Sequence, residues 1–235
     1  MNNELVFNRV LGLKFLHDNF PYLYNKDRIK LYFVHSKKDL KNLQIPNEHF
    51  DSLVLKRSSN KKFISDLKFK DNRFFKTLEE LKNGSEEFAD IFDFCVECHH
   101  FKSGENYYSD RLAIAQFSTD PVTDFCDRIS FIPSLVKGVN TRENKAYLEI
   151  EYPYNTSSIF HITYADAGAL NINNLNNYSI SHLSNTIHHM ISTIKEYLIE
   201  LGIHNSFQLI IRIDSYLNLL PIDFRTPNAW STLQK

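Results

Sequence analysis

The chain has 235 residues, 43% hydrophobic and 23% charged, which is enough to bury a sizeable core in one large domain or two lobes. No run of eighteen apolar residues occurs, and Met1 to Phe20 carries Glu4, Arg9, Lys14 and Asp18 where a secretory signal needs an apolar core, so the expectation is a soluble, cytoplasmic protein. The net charge of −1 hides an asymmetry: residues 1–80 hold 16 Lys and Arg against 10 Asp and Glu, a balance of +6, and the remainder 11 against 18, a balance of −7.

The first apolar periodicity, Val6, Val10, Leu13 and Leu16, predicts an amphipathic helix over Leu5–Phe20 that stops before Pro21. Leu31–Val34 follows as a strand, Ser36–Leu43 as a short helix, and Leu53–Leu55 as a strand leaving through Lys56-Arg57-Ser58-Ser59. Phe75–Phe92 reads as mostly helical, then Phe94–Phe101 and Leu112–Phe117 as strands joined through the Ser103-Gly104-Glu105-Asn106 turn. Asp120-Pro121-Val122-Thr123 separates Leu112–Phe117 from the apolar run Ile129, Phe131 and Ile132. Pro121 fixes φ, and Asp120 and Thr123 can bond neighbouring amides, so a hairpin tip is expected. Ala146–Tyr152 and Ile159–Tyr164 are further strands. The clearest helix spans Ile180–Leu201, with a stripe of Ile180, Leu183, Ile187, Met190, Ile191, Ile194, Leu198 and Leu201, Ser179 as N-cap and Gly202 as stop. His182, His188 and His189 lie off that stripe as polar-face residues. Phe207–Ile213 and Tyr216–Ile222 close the chain as a hairpin.

Several constellations bear on chemistry. Lys37, Lys38, Lys56, Arg57, Lys61, Lys62, Lys68, Lys70 and Arg73 are interleaved with Phe63, Phe69, Phe74 and Phe75. A nucleic-acid surface and an ordinary solvated face over buried aromatics both fit that pattern, and the lack of a defined nucleic-acid motif favours the second. Cys95, Cys98 and Cys126 are too few for a disulfide framework. Cys95-x-x-Cys98 beside His99 and His100 has the composition of a zinc site. On a strand, however, its two sulfurs point to opposite faces, which speaks against zinc. Glu143, Glu149 and Glu151 near Lys145 do not give the acid and lysine order of a restriction-type nuclease, and Cys126 has no histidine close in sequence to activate it.

Read together, Gly12-Leu13-Lys14, Leu55-Lys56-Arg57-Ser58-Ser59, Phe94-Cys95-Val96-Glu97, Asp120-Pro121-Val122-Thr123 and Ile222-Asp223-Phe224-Arg225-Thr226-Pro227 occur in the order found in one kind of nucleotide-binding domain. The chain resembles an ATP-grasp fold, and more narrowly a contracted N-terminal ATP-binding domain of phosphoenolpyruvate synthase and pyruvate phosphate dikinase. That resemblance implies an α+β, two-lobed architecture with mostly antiparallel sheets, divided into residues 1–92 and 93–235. It implies ATP and Mg²⁺ as cofactors, Lys14 and Arg57 on phosphate, Glu97 beside the adenosine, Asp120 in the second-lobe turn, Asp223 on the metal and Arg225 at the phosphoryl group. The departures are Asp124 in place of the glycine of the turn, a short span from Arg57 to Asp120, and Ile210 where the family carries a second metal-binding acid.

These residue types suit the chemistry on physical grounds too. Phosphoryl transfer is a problem of positioning and of neutralising spreading negative charge, for which Arg forks and Lys point charges serve. Two functions follow: an ATP-dependent phosphotransferase or ligase acting on an unidentified acceptor, or a non-catalytic interaction subunit keeping a degenerate fold. The swivelling histidine domain of the family has no room in this chain, so a partner protein would supply it.

Overall fold

The computed structural model describes residues 8–46, 50–59, 73–86, 92–101, 111–120, 127–132, 148–152, 161–163, 177–214 and 216–226. The fold is α+β, and the chain divides into two compact units, residues 6–105 with 223–235, and residues 1–5 with 106–222.

In the first unit, α1 (Arg9–Asn19) starts where the Asn8 side chain accepts from the Leu11 N–H, and ends just before the 3-10 turn Pro21–Leu23. The expected start at Leu5 lies outside the described residues. β1 (Ile29–Val34) leads to α2 (Lys37–Asn42), capped by Ser36. β2 (Ser52–Ser59) is longer than the apolar run Leu53–Leu55, because Lys56 and Ser58 are buried and the strand keeps its pairing with β4 (Phe92–His99) over eight residues. Of Phe75–Phe92, expected to be mostly helical, residues 87–91 lie outside the described residues, and the described helix starts later than Phe75. Phe74 and Phe75 belong to β3 (Arg73–Phe75), opposite Val54 and Leu53, and the helix α3 (Leu78–Gly84) begins only after the Thr77–Glu80 capping box. The sheet order is β1-β4-β2-β3, with antiparallel pairing throughout. One face is apolar: Leu53, Leu55, Phe94, Val96 and Cys98 pack with Leu40 of α2 and Leu81 of α3.

The second unit contains β5 (Arg111–Ser118), β6 (Asp127–Ile132), β7 (Leu148–Tyr152), β8 (His161–Thr163), α4 (Asn177–Glu200), β9 (Ser206–Ile213) and the start of β10 (Leu219–Arg225). Strand order is β10-β9-β5-β6-β7-β8. β5 and β6 pair antiparallel as expected of a hairpin, while Pro121 to Cys126 lie outside the described residues. The helix α4 opens at Asn177, so Ser179 sits inside it rather than capping it, and Gly202 ends it with φ +68°. Leu183, Ile187, Ile191, Ile194 and Leu198 are buried as the stripe requires. Leu201 falls past the helix end and is exposed. His188 stacks on Tyr152, ring centroids 4.0 Å apart, and lies 3.7 Å from Asp127, which Lys195 grips through both oxygens at 2.9 and 3.0 Å. No helix among the described residues is long and apolar enough to cross a membrane.

Candidate functional site

The second face of the four-stranded sheet is charged. Directly opposed residues of antiparallel strands share a face, so Val54↔Glu97, Lys56↔Cys95 and Ser58↔Asp93 place Lys56, Ser58, Asp93, Cys95, Glu97 and, in step, His99 on the side opposite the apolar core. All six are buried. Cys95 therefore faces away from Cys98, the opposite-face arrangement read from the strand period.

Lys56 Nζ is 2.5 Å from Glu97 Oε1, and His99 Nε2 is 3.1 Å from Glu97 Oε2, all three side chains being fully enclosed. Burial alone would raise the Glu97 carboxyl. The Lys56 charge and the His99 hydrogen bond outweigh it and bring the carboxyl down to about 2. Burial raises the Cys95 thiol well above its ordinary range, and the Glu97 charge adds to the rise against a smaller pull from Lys56. The Tyr24 phenol is raised likewise, first by burial and then by the Cys95 and Glu97 charges. A thiol and a phenol held neutral are poor nucleophiles, so this interior is an electrostatic brace rather than a reaction centre.

At one end of the same face the groups become more accessible. The N–H of Val10 in α1 donates to Ser58 Oγ at 3.1 Å, and Asp93 Oδ1 is 3.1 Å from Nδ1 of the exposed His35. α1 also runs close against β10: a Cβ at Gly12 would stand 1.7 Å from the Phe224 carbonyl oxygen, and Phe15 stacks on Phe224 at 6.1 Å. This approach brings Arg9 over Asp223. Arg9 Nε lies 3.0 Å and Arg225 Nη2 lies 3.4 Å from Asp223 Oδ2, whereas Oδ1, although buried, accepts no hydrogen bond among the described residues.

Of the residues singled out from sequence, Asp223 and Arg225 come together. Lys14 lies on the exposed side of α1, paired with Asp18 at 2.6 Å and 5.7 Å from the centre of the Phe33 ring. Arg57 is opposite Phe94 and so at a register position on the apolar-core face, not beside Lys56. Glu97 has both oxygens engaged by Lys56 and His99. Asp120 belongs to the second unit, where its N–H donates to Ser118 Oγ and the adjoining Thr119 hydroxyl donates to Ile203 O. Ile210, in the place of the second acid, is buried beside Leu112 and Ile222. Sequence reasoning missed Arg9 and Lys56. The first follows an Asn N-cap, and the second alternates with Ser58 on a strand face, but neither position announces its distant partner.

No protein-family model matches the chain, and no curated protein matches it. Among solved structures it is similar to N5-carboxyaminoimidazole synthetase from Staphylococcus aureus complexed with ADP, at 9% identity and TM-score 0.35, over 92% of this chain and 43% of that one. A second structure of that synthetase gives 11% identity and TM-score 0.37, over 92% and 44%. The chain spans less than half the length of these structures, and likeness at this level leaves its family open.

Proposed function

We propose that the protein binds a nucleoside triphosphate with Mg²⁺ in the manner of an ATP-grasp domain, for phosphoryl transfer to, or activation of, an acceptor. The observation that supports this most is Asp223: a buried carboxylate with one oxygen that has no donor among the described residues and two guanidiniums at the other. A buried acceptor without a partner is costly and calls for a cation or a proton. Mg²⁺ takes oxygen ligands and is commonly held by one or two carboxylates plus substrate phosphates, so a single acid beside two phosphate-seeking Arg side chains suits it. Asp223 would hold the metal, Arg225 and Arg9 would neutralise phosphate oxygens, and the metal would supply charge stabilisation for the transferring group.

Calorimetry on the full chain with a non-hydrolysable ATP analogue and Mg²⁺ tests the reading. Binding that Asp223→Asn abolishes in a folded protein is the expected result. A silent titration at millimolar ligand refutes it.

Ile210 supports a second reading, an interaction subunit that keeps nucleotide contacts without turnover, because no second carboxylate occupies that buried position. Binding of the analogue with no ATP hydrolysis, alone or with a co-purifying partner, selects that reading.

A further inference from the structure

We propose that His35, oriented by Asp93, is a general base that takes the proton from an acceptor hydroxyl, an inference that rests on the nucleotide-binding reading above and narrows its acceptor to an alcohol or water. The two side chains meet by register. Val34 lies opposite Phe94 and Ser58 opposite Asp93, so His35, one residue past the end of β1, continues the row that Asp93 and Ser58 form on the charged face. This row is the accessible end of that face: Lys56, Cys95, Glu97 and His99 further in are enclosed, whereas the His35 side chain is 65% exposed.

The geometry fixes which nitrogen acts. A carboxylate only accepts, so the 3.1 Å contact between Asp93 Oδ1 and His35 Nδ1 places the ring proton on Nδ1. In the neutral imidazole the lone pair is then on Nε2, which is engaged by no group among the described residues. Asp93, with a side chain 11% exposed, sits on β4 between β1 and β2 and has His35 as its one partner among the described residues. An ion pair with one exposed member adds little to stability, yet an enclosed carboxylate at Nδ1 sets the tautomer and stabilises the imidazolium that forms when Nε2 takes up a proton.

The same compact unit holds the cations of the nucleotide reading. The Val10 N–H donates to Ser58 Oγ, which sets the first turn of α1 beside the row, and Arg9 of that turn reaches Asp223 together with Arg225. In the step, the acceptor oxygen forms a bond to the γ-phosphorus, and the bond from that phosphorus to the β,γ-bridging oxygen breaks. The nucleoside diphosphate leaves with that electron pair, and the acceptor proton passes to Nε2. The imidazolium then returns the proton to solvent. A carboxylate acceptor is already ionised at neutral pH and needs no base, so an exposed imidazole with a fixed tautomer points to a hydroxyl.

The experiment uses the full chain and ATP with Mg²⁺, water being the acceptor, for wild type, His35→Ala and Asp93→Asn. Circular dichroism melts check that each is folded. Calorimetry with a non-hydrolysable ATP analogue should give the same affinity for all of them, while kcat for ATP hydrolysis should fall about 100-fold in His35→Ala and about tenfold in Asp93→Asn. Added imidazole should restore part of the His35→Ala rate and leave Asp93→Asn as it is, because only the first substitution vacates an exposed ring position. Nitrogen-15 NMR should show the neutral His35 ring of the wild type protonated on Nδ1, and that of Asp93→Asn shifted toward protonation on Nε2. An unchanged kcat in either variant, a loss in His35→Ala that imidazole does not relieve, or a wild-type ring protonated on Nε2 would overturn the role of His35 while leaving the nucleotide site standing. Nucleotide binding without turnover by the wild type would overturn it in favour of the interaction subunit, and no nucleotide binding at millimolar ligand would overturn both.

Discussion

Replacing Glu97 by Gln keeps the shape of a fully enclosed side chain and removes its charge, leaving the Lys56 ammonium and the His99 ring facing an amide. The carboxyl stands at about 2 in the folded protein against an ordinary 4.5. At about 1.4 kcal/mol per pH unit, that difference is worth about 3 kcal/mol of stability. Its sign is set by the depressed value: the contribution is present in full above pH 4.5 and is lost as pH falls from there toward 2. Breaking a buried ion pair from one side costs about 3–5 kcal/mol, in agreement with the titration argument and large against a total stability of about 5–15 kcal/mol. Urea denaturation of wild type and Glu97→Gln at pH 7 and at a series of lower pH values reads both quantities. The expected result is a gap of about 3 kcal/mol at pH 7 that narrows steadily below pH 4.5, because Glu97 of the unfolded wild-type chain then takes up a proton that the folded protein refuses until about pH 2. A gap under about 1 kcal/mol at pH 7, or one that keeps its size under acid, would refute the buried-pair account.

Gly12→Ala should destabilise the protein by about 1–3 kcal/mol, read as a lower melting temperature, because the new methyl collides with the rigid Phe224 carbonyl rather than with a movable side chain. Thr77→Ala removes the side-chain acceptor for the Glu80 N–H and half of the capping box on α3, for an expected loss of about 1 kcal/mol in denaturant midpoint analysis. Leu217, with φ +64°, holds a left-handed conformation in the turn closed by Asp214 and Asn218, so Leu217→Gly should raise stability by about 1 kcal/mol despite the added freedom of the unfolded chain, and a lowered melting temperature would contradict the strain.

Elements whose cause is local were legible in the sequence. The α4 stripe, the stop at Gly202, the β9 apolar run and the end of α1 before Pro21 each follow from spacing or from one residue's backbone preference. The start of α4 was not, because Ser179 has the chemistry of a cap yet the helix continues two residues beyond it to Asn177. β2 was read too short for a different reason. Lys56 and Ser58 look like a solvated strand exit until β4 supplies their cross-strand neighbours, and the Lys56–Glu97 partner lies 41 residues away. Asp223 and Arg225 could be paired from their i, i+2 spacing on one strand, but Arg9 reaches Asp223 across 214 positions. The opposite faces of Lys56 and Arg57 were implicit in the strand period, yet which face is charged depends on where α2 and α3 pack.

The packing of α1 explains why a glycine and a buried ion network both matter to the accessible end of the sheet. Arg9 reaches Asp223 only because α1 lies against β10 at Gly12, where no Cβ fits, and because the Val10 N–H is anchored on Ser58. Ser58 is held in turn by β2, whose interior Lys56 is locked to Glu97 of β4. Loosening the Lys56–Glu97 pair should therefore disturb the strand that fixes α1, and through it the distance from Arg9 to Asp223. Substitutions at Gly12 and at Glu97 are expected to weaken metal binding at Asp223 in proportion to their loss of stability. Asp223→Asn should abolish metal binding while the fold persists, since Arg9, with a side chain 24% exposed, keeps a route to water and the amide oxygen can still accept from Arg225. Metal affinity in a Gly12→Ala protein that is destabilised yet binds Mn²⁺ as wild type does would separate α1 packing from the site.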